Sequence, residues 1–229
     1  MKRLAGVLAF VAIFQVVTLG QDCNMYLPET ENTQLEYKSF DKKNKLTGSV
    51  VQKVSGITRE AGSVNATIEA EYFDNKGKSQ GKSELKARCE NGIFYLDMRN
   101  FLNQESMEGF KDMEMQLEGG FLEMPSKLNV GDVLKPGDMK IVFSTEDTPV
   151  MTMTINITNR KVEAYEDVTT DAGTFKCYKI SYDINTRMMF SIKAKAIEYY
   201  NEDVGMLKSE SYTTAGALQG YTVLSAIKK

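Results

Sequence analysis

Histidine is absent from all 229 residues. That removes Ser-His and Cys-His nucleophile activation, the usual catalytic zinc shells and the one side chain that titrates near neutrality unperturbed. Tryptophan is also absent, so a carbohydrate platform would lack its best stacking residue. The three cysteines include no C-x-x-C pair, which argues against dithiol redox catalysis. Proline totals four and no Gly- or Ser-rich tract occurs, so no linker divides the chain. No G-x-x-x-x-G-K phosphate loop and no D-x-[DN]-x-[DN]-G calcium loop is present. Basic clusters are short: Lys42-Lys43 and the terminal Lys228-Lys229 read as solvated turn and tail residues, which speaks against nucleic-acid binding.

What is present begins with an export signal. Lys2 and Arg3 precede an apolar run from Leu4 to Val17, and Thr18-Leu19-Gly20 supplies small residues for cleavage. Residues 1–20 are read as a cleaved signal peptide and 21–229 as a single β domain. The run falls short of the ~20 residues a bilayer span needs, and Gln15 interrupts it, so the mature chain is expected to carry no transmembrane segment. Lipidation at Cys23 is disfavoured because charged Asp22 stands where that route wants a small residue. The expected location is the periplasm or cell envelope of a Gram-negative bacterium. Removing residues 1–20 leaves 26 basic against 31 acidic residues and moves the formal charge from −3 to −5.

Strand signals dominate. Val64, Ala66, Ile68, Ala70 and Tyr72 alternate with polar residues, and Asp74-Asn75-Lys76-Gly77 turns the chain back into Leu85, Ala87 and Cys89. Met113, Met115 and Leu117 form one apolar face, and Met151, Met153, Ile155 and Ile157 another. Ten to twelve short strands are expected, in a strongly curved antiparallel sheet or incomplete β-barrel, because a flat sheet of that size would expose edges and one apolar face. One short helix is expected between Asn100 and Lys111, built on Phe101, Leu102, Met107 and Phe110.

Several segments carry a resemblance. They are Val168 to Ile180, with Ala172-Gly173-Thr174-Phe175 at its centre, Glu198-Tyr199-Tyr200, and Val204-Gly205-Met206-Leu207-Lys208-Ser209-Glu210. Tyr26-x-Pro28 with Glu36-Tyr37, the Pro125 to Leu134 stretch and Asn159-Arg160-Lys161-Val162 agree in order. Together they resemble the TapB family and the wider group of envelope proteins with domain of unknown function 3108. Asp171 departs from that pattern, where proline is common. The resemblance implies a fold similar to the lipoprotein carriers LolA and LolB, an incomplete barrel around an apolar cavity, and it supplies no catalytic residues.

The leading expectation is a non-catalytic envelope protein without cofactor or metal, binding a lipid-like or other apolar ligand in a cavity lined by Met113, Met115, Met151, Met153 and Ile155. Flexible thioether side chains suit an adaptable apolar pocket; copper binding by the same methionines is the weaker account, since Leu117 and Ile157 share their faces. The alternative is an interaction module for an envelope protein or glycan, with Tyr199, Tyr200, Tyr212 and Tyr221 as aromatic contacts. Glu163, Glu166 and Asp167 read as a solvated edge rather than a hydrolytic pair. Among the cysteines, Cys23 and Cys89 are the preferred disulfide and Cys177 the free thiol, although spacing alone does not determine connectivity.

Overall fold

The computed structural model describes residues 23–102, 108–110 and 113–229. The signal-peptide reading of residues 1–20 lies outside them, as does Met107. Thirteen strands follow in chain order: β1 (Gln34–Asp41), β2 (Leu46–Glu60), β3 (Ser63–Asp74), β4 (Ser79–Glu90), β5 (Ile93–Asp97), β6 (Glu114–Gly119), β7 (Phe121–Pro125), β8 (Gly137–Thr145), β9 (Thr148–Thr170), β10 (Gly173–Arg187), β11 (Ser191–Asn201), β12 (Gly205–Thr213) and β13 (Leu218–Lys228). All join one antiparallel sheet in the order β6-β8-β9-β10-β11-β12-β13-β1-β2-β3-β4-β5-β7, which curls into a nearly closed barrel. Where one helix was expected, the described residues hold only 3₁₀ turns, Met98–Phe101 and Glu108–Phe110.

The two edge strands are consecutive in sequence, and this closes the barrel. β6 pairs with β8, from Glu114↔Ser144 to Gly119↔Met139, whereas β7 pairs with β5, from Ile93↔Pro125 to Asp97↔Phe121. The change of partner occurs at Gly119-Gly120, both at positive φ (73° and 102°), and a Cβ at Gly119 would lie 2.8 Å from the Asp138 carbonyl oxygen. Glycine is the residue that tolerates both demands. Gly120 then bonds both ends of the sheet: its N–H donates to the Asp138 carbonyl of β8 (3.1 Å), and its carbonyl accepts from the Met98 N–H just past β5 (2.7 Å).

Alternation fills the barrel as its period of two requires. Val64, Ala66, Ile68 and Ala70 of β3, Leu85, Ala87 and Cys89 of β4, and Met139, Ile141 and Phe143 of β8 are all buried in one main cluster. β6 departs from expectation. Met115 and Leu117 do share a face, but at 52% and 45% exposure they stand in solvent. They lie on an edge strand whose inner face has no strand laid across it, and a period of two shows which residues share a face without showing what covers it.

A second apolar cluster adjoins the first, with Val50 and Met206 packed against both. β9 and β10 form the longest hairpin, and register shifts near Ile180 and Asp183, with Asn159 at φ 54°, bend it. Val168, Ala172 and Phe175 at its tip pack against a cluster containing Tyr37, Cys177, Leu207 and Leu224. The Ala172-to-Phe175 stretch is therefore a structural tip. Gly173 sits at φ 129°, and a Cβ there would come within 3.2 Å of the Phe175 ring.

Candidate functional site

The N-terminal segment seals one end of the barrel. Met25, Tyr26 and Leu27 are buried, and a disulfide ties Cys23 to Cys89 on β4. The Tyr26 hydroxyl donates to the carbonyls of Pro125 (3.0 Å) and Ser126 (3.2 Å), and its ring meets Phe94 and Tyr200 at centroid distances of 5.8 and 6.4 Å. Its own carbonyl would stand 2.3 Å from a Cβ at residue 205, where φ is 93°, so Gly205 admits the plug by lacking a side chain. The motif pieces Tyr26, Pro125, Tyr200 and Gly205 thus converge in space, and together they close the barrel.

Above the plug sits a buried charged network. Glu198, 6% exposed, accepts a hydrogen bond from the Tyr200 hydroxyl (2.9 Å) and others from Tyr182 and Ser209. Arg160, 3% exposed, donates through Nη1 to the carbonyls of Glu123 on β7 and Lys135 in the β7–β8 connection, both at 2.7 Å. The guanidinium spans the seam, supplying donors where the β7 edge lacks a neighbouring strand. Its Nε has no hydrogen-bond partner among protein atoms. Arg160, Tyr182, Glu198 and Tyr200 border a cavity of about 10 Å³, roughly the space of one water molecule.

Electrostatics follow from burial. Desolvation raises the Glu198 carboxyl above its ordinary value, against the lowering effects of its tyrosine hydrogen bonds and of Arg160, while desolvation lowers Arg160. The folded state therefore favours protonated Glu198. Its stabilising contribution is fully present below the unfolded pKa and lost as pH rises through the folded one. Glu198→Gln should accordingly gain melting temperature relative to the parent as pH increases from acid to neutral. Thermal unfolding of both proteins across that range checks this, and a difference independent of pH would remove the account.

Among the described residues, the five expected lining residues do not border the one internal cavity described above. Drug-sized ligand sites occupy roughly 300–1,000 Å³, whereas the internal cavity beside Arg160 and Glu198 holds about 10 Å³. Met153 and Ile155 are core residues at 5% and 3% exposure, Met113 and Met151 pack half-buried against the same core, and Met115 is exposed. The five residues therefore share no lining. Cys177, the free thiol, is buried in the second cluster, and desolvation pushes it up to about 11, which leaves it a poor nucleophile.

Space for a ligand lies outside. A groove of about 540 Å³ opens between the β9–β10 tip and the face of β11–β13, bordered by Glu166, Asp167, Thr169, Tyr199, Lys208 and Tyr221. Lys208 is held by an ion pair with Glu210 (2.6 Å) and lies 5.8 Å from the Tyr199 ring centre. Tyr221 stacks on Phe40 at 5.1 Å, and its hydroxyl donates to Asn44 Oδ1 (3.1 Å). Sequence reasoning named Tyr199 and Tyr221 but missed the groove, which exists only because the hairpin bends. It also left Arg160 and Glu198 without a role, although Glu198 shares strand parity with Ala196 and Tyr200 and so had to face the interior.

A family model described as DUF3108-like matches residues 30–224, nearly the whole described chain. The chain belongs to the DUF3108-like family. Among solved structures, a candidate lipoprotein from Parabacteroides distasonis is 26% identical with a TM-score of 0.79, covering 91% of this chain and 100% of its own. A candidate exported protein with YmcC-like fold from Bacteroides fragilis is 24% identical with a TM-score of 0.77, covering 90% of this chain and 100% of its own. No curated protein matches the sequence. The two solved structures share the fold of this chain.

Proposed function

We propose that the chain is an exported, non-catalytic module of the cell envelope that binds a glycan in the outer groove rather than a lipid in its interior. The carrying observation is the contrast in space: about 10 Å³ inside and about 540 Å³ outside. The groove sets the ring of Tyr221 beside the Thr169 and Thr170 hydroxyls, the carboxylates of Glu166, Asp167 and Asp171, and the Lys208 ammonium. Such a mixture answers the apolar faces and many hydroxyls of a sugar. Export is supported by the Lys2-Arg3 start and the Leu4-to-Val17 run, and by the relatives described as exported protein and lipoprotein. Within this chain the disulfide occupies the Cys23 sulfur that a lipid would need, which favours the form cleaved after Gly20.

Nuclear magnetic resonance titration with soluble cell-wall disaccharide-peptide fragments tests the reading. Amide shifts are expected at 166–171, 208 and 221, and Tyr221→Ala should weaken binding about tenfold, near 1.4 kcal/mol. Shifts absent from those positions would sink the groove. A fluorescent fatty-acid series binding more tightly with each added CH₂ would restore the interior reading.

A further inference from the structure

Strand register divides the connections between two rims. Asp41↔Gly220, Gly48↔Asp74, Thr145↔Thr148 and Ala194↔Thr213 place the turns at 41–46, 74–79, 145–148, 187–191 and 213–218 together, at the end opposite the plug. Charge is segregated accordingly. The first two turns read Asp41-Lys42-Lys43-Asn44-Lys45 and Asp74-Asn75-Lys76-Gly77-Lys78, and all their lysines are exposed. Both aspartates turn inward on the backbone: Asp41 accepts from the Lys43 and Lys45 N–H groups (2.8 and 2.9 Å), and Asp74 from those of Lys76 and Lys78 (2.8 and 2.9 Å). The carboxylates thus shape the turns while the ammonium groups point to solvent. Glu146 and Asp147 bring negative charge to one turn of this rim. The plugged rim carries Glu29, Glu31, Glu60, Glu90, Glu202 and Asp203 in or beside its turns.

From the basic rim projects the most exposed apolar group of the described molecule. Met189, Phe190 and Ile192, at the β10–β11 tip, are 85%, 72% and 59% exposed. Met188 beside them packs half-buried against the main core and fixes the root of the tip. Arg187, Lys193 and Lys195 flank it, all exposed, and no ion pair among the described residues engages them. An apolar tip ringed by unpaired cations on a basic rim has the two components of interfacial binding, hydrocarbon insertion and attraction to anionic headgroups. Three side chains at a narrow tip are too few for the ~800 Å² per partner of a stable protein interface.

We infer that the Met189–Ile192 tip inserts into an anionic lipid surface, with the lysine turns of the same rim resting over the headgroups. The plugged end then points away from the bilayer. This inference stands apart from the groove and its ligand.

Because tryptophan is absent, Phe190→Trp installs a unique fluorophore at the tip. With the exported protein and vesicles of phosphatidylethanolamine and phosphatidylglycerol, its emission should shift to the blue; with phosphatidylcholine vesicles it should not. In co-sedimentation, Met189→Ser with Phe190→Ser should lower partitioning at least tenfold at unchanged melting temperature, since both residues are exposed. Arg187, Lys193 and Lys195 replaced by Gln should give a comparable loss, and added salt should weaken parental binding. An unshifted tryptophan, or equal sedimentation of the serine variant, overturns the inference. A dimer of the parent that dissociates in the serine variant also overturns it, by assigning the tip to a second copy of the chain.

Discussion

Cys89→Ser should lower the unfolding free energy by about 4 kcal/mol, the value expected from loop-closure entropy for a bridge of this span. The disulfide links residues 66 apart, with Cα atoms 5.7 Å from one another. It fastens the plug to β4, and the residues it holds, Met25, Tyr26 and Leu27, have no strand pairing of their own. Urea unfolding of the oxidised parent, the reduced parent and the variant measures the effect. In the oxidised, denatured parent, alkylation should label Cys177 alone. A change below about 1 kcal/mol would show that packing of Tyr26 against Phe94 and Gly205 retains the plug without the covalent tie.

Arg160→Met is expected to cost about 3–5 kcal/mol, since it strips two buried carbonyls of charged donors and leaves Glu198 without its nearby cation. The parent hydrogen bonds, both 2.7 Å, reach Glu123 and Lys135 from opposite sides of the seam. Loss of protection should be local. Hydrogen exchange is expected to accelerate in β5, β7 and the start of β8 before it does in β2 or β3, and Arg160→Lys should recover part of the stability by reaching one carbonyl. Uniform acceleration throughout the sheet would instead place Arg160 in the general core.

The same seam shows where sequence reading succeeds and where it stops. The alternation of Val64 to Tyr72 and of Met151 to Ile157 is a local property, so those strands and their buried faces were legible. The strand placement of Cys177 made Cys23–Cys89 the preferred bridge, but spacing left the connectivity open. The state of β6 was not legible, because exposure of Met115 depends on which strand comes to lie beside it, and that is settled at Gly119-Gly120. Interior space was not legible for a related reason. Methionine parity identifies inward-facing side chains, but interior volume depends on how tightly thirteen strands curl and on a plug supplied from far along the chain. Gly205 carried a signal of motif type alone, and only the Tyr26 carbonyl against it explains the need for glycine. Arg160 and Glu198 stood within recognised segments, yet their long-range partners, the Glu123 carbonyl and Ser209, belong to other strands.

The place of β13 bears on the order of events during synthesis. Between β12 and β1, the thirteenth strand in chain order fills the middle of the sheet. Until it arrives, the strands can form only two arcs, β1 to β5 with β7 and β6 with β8 to β12, that meet at the Gly119-Gly120 seam and nowhere else along their length. Pairings that join the first strand to the last span nearly the full chain and are slow to form. A nascent chain of this design therefore stays open to chaperones until β13 has been made, and a chain lacking that strand would present two adhesive edges in place of a barrel.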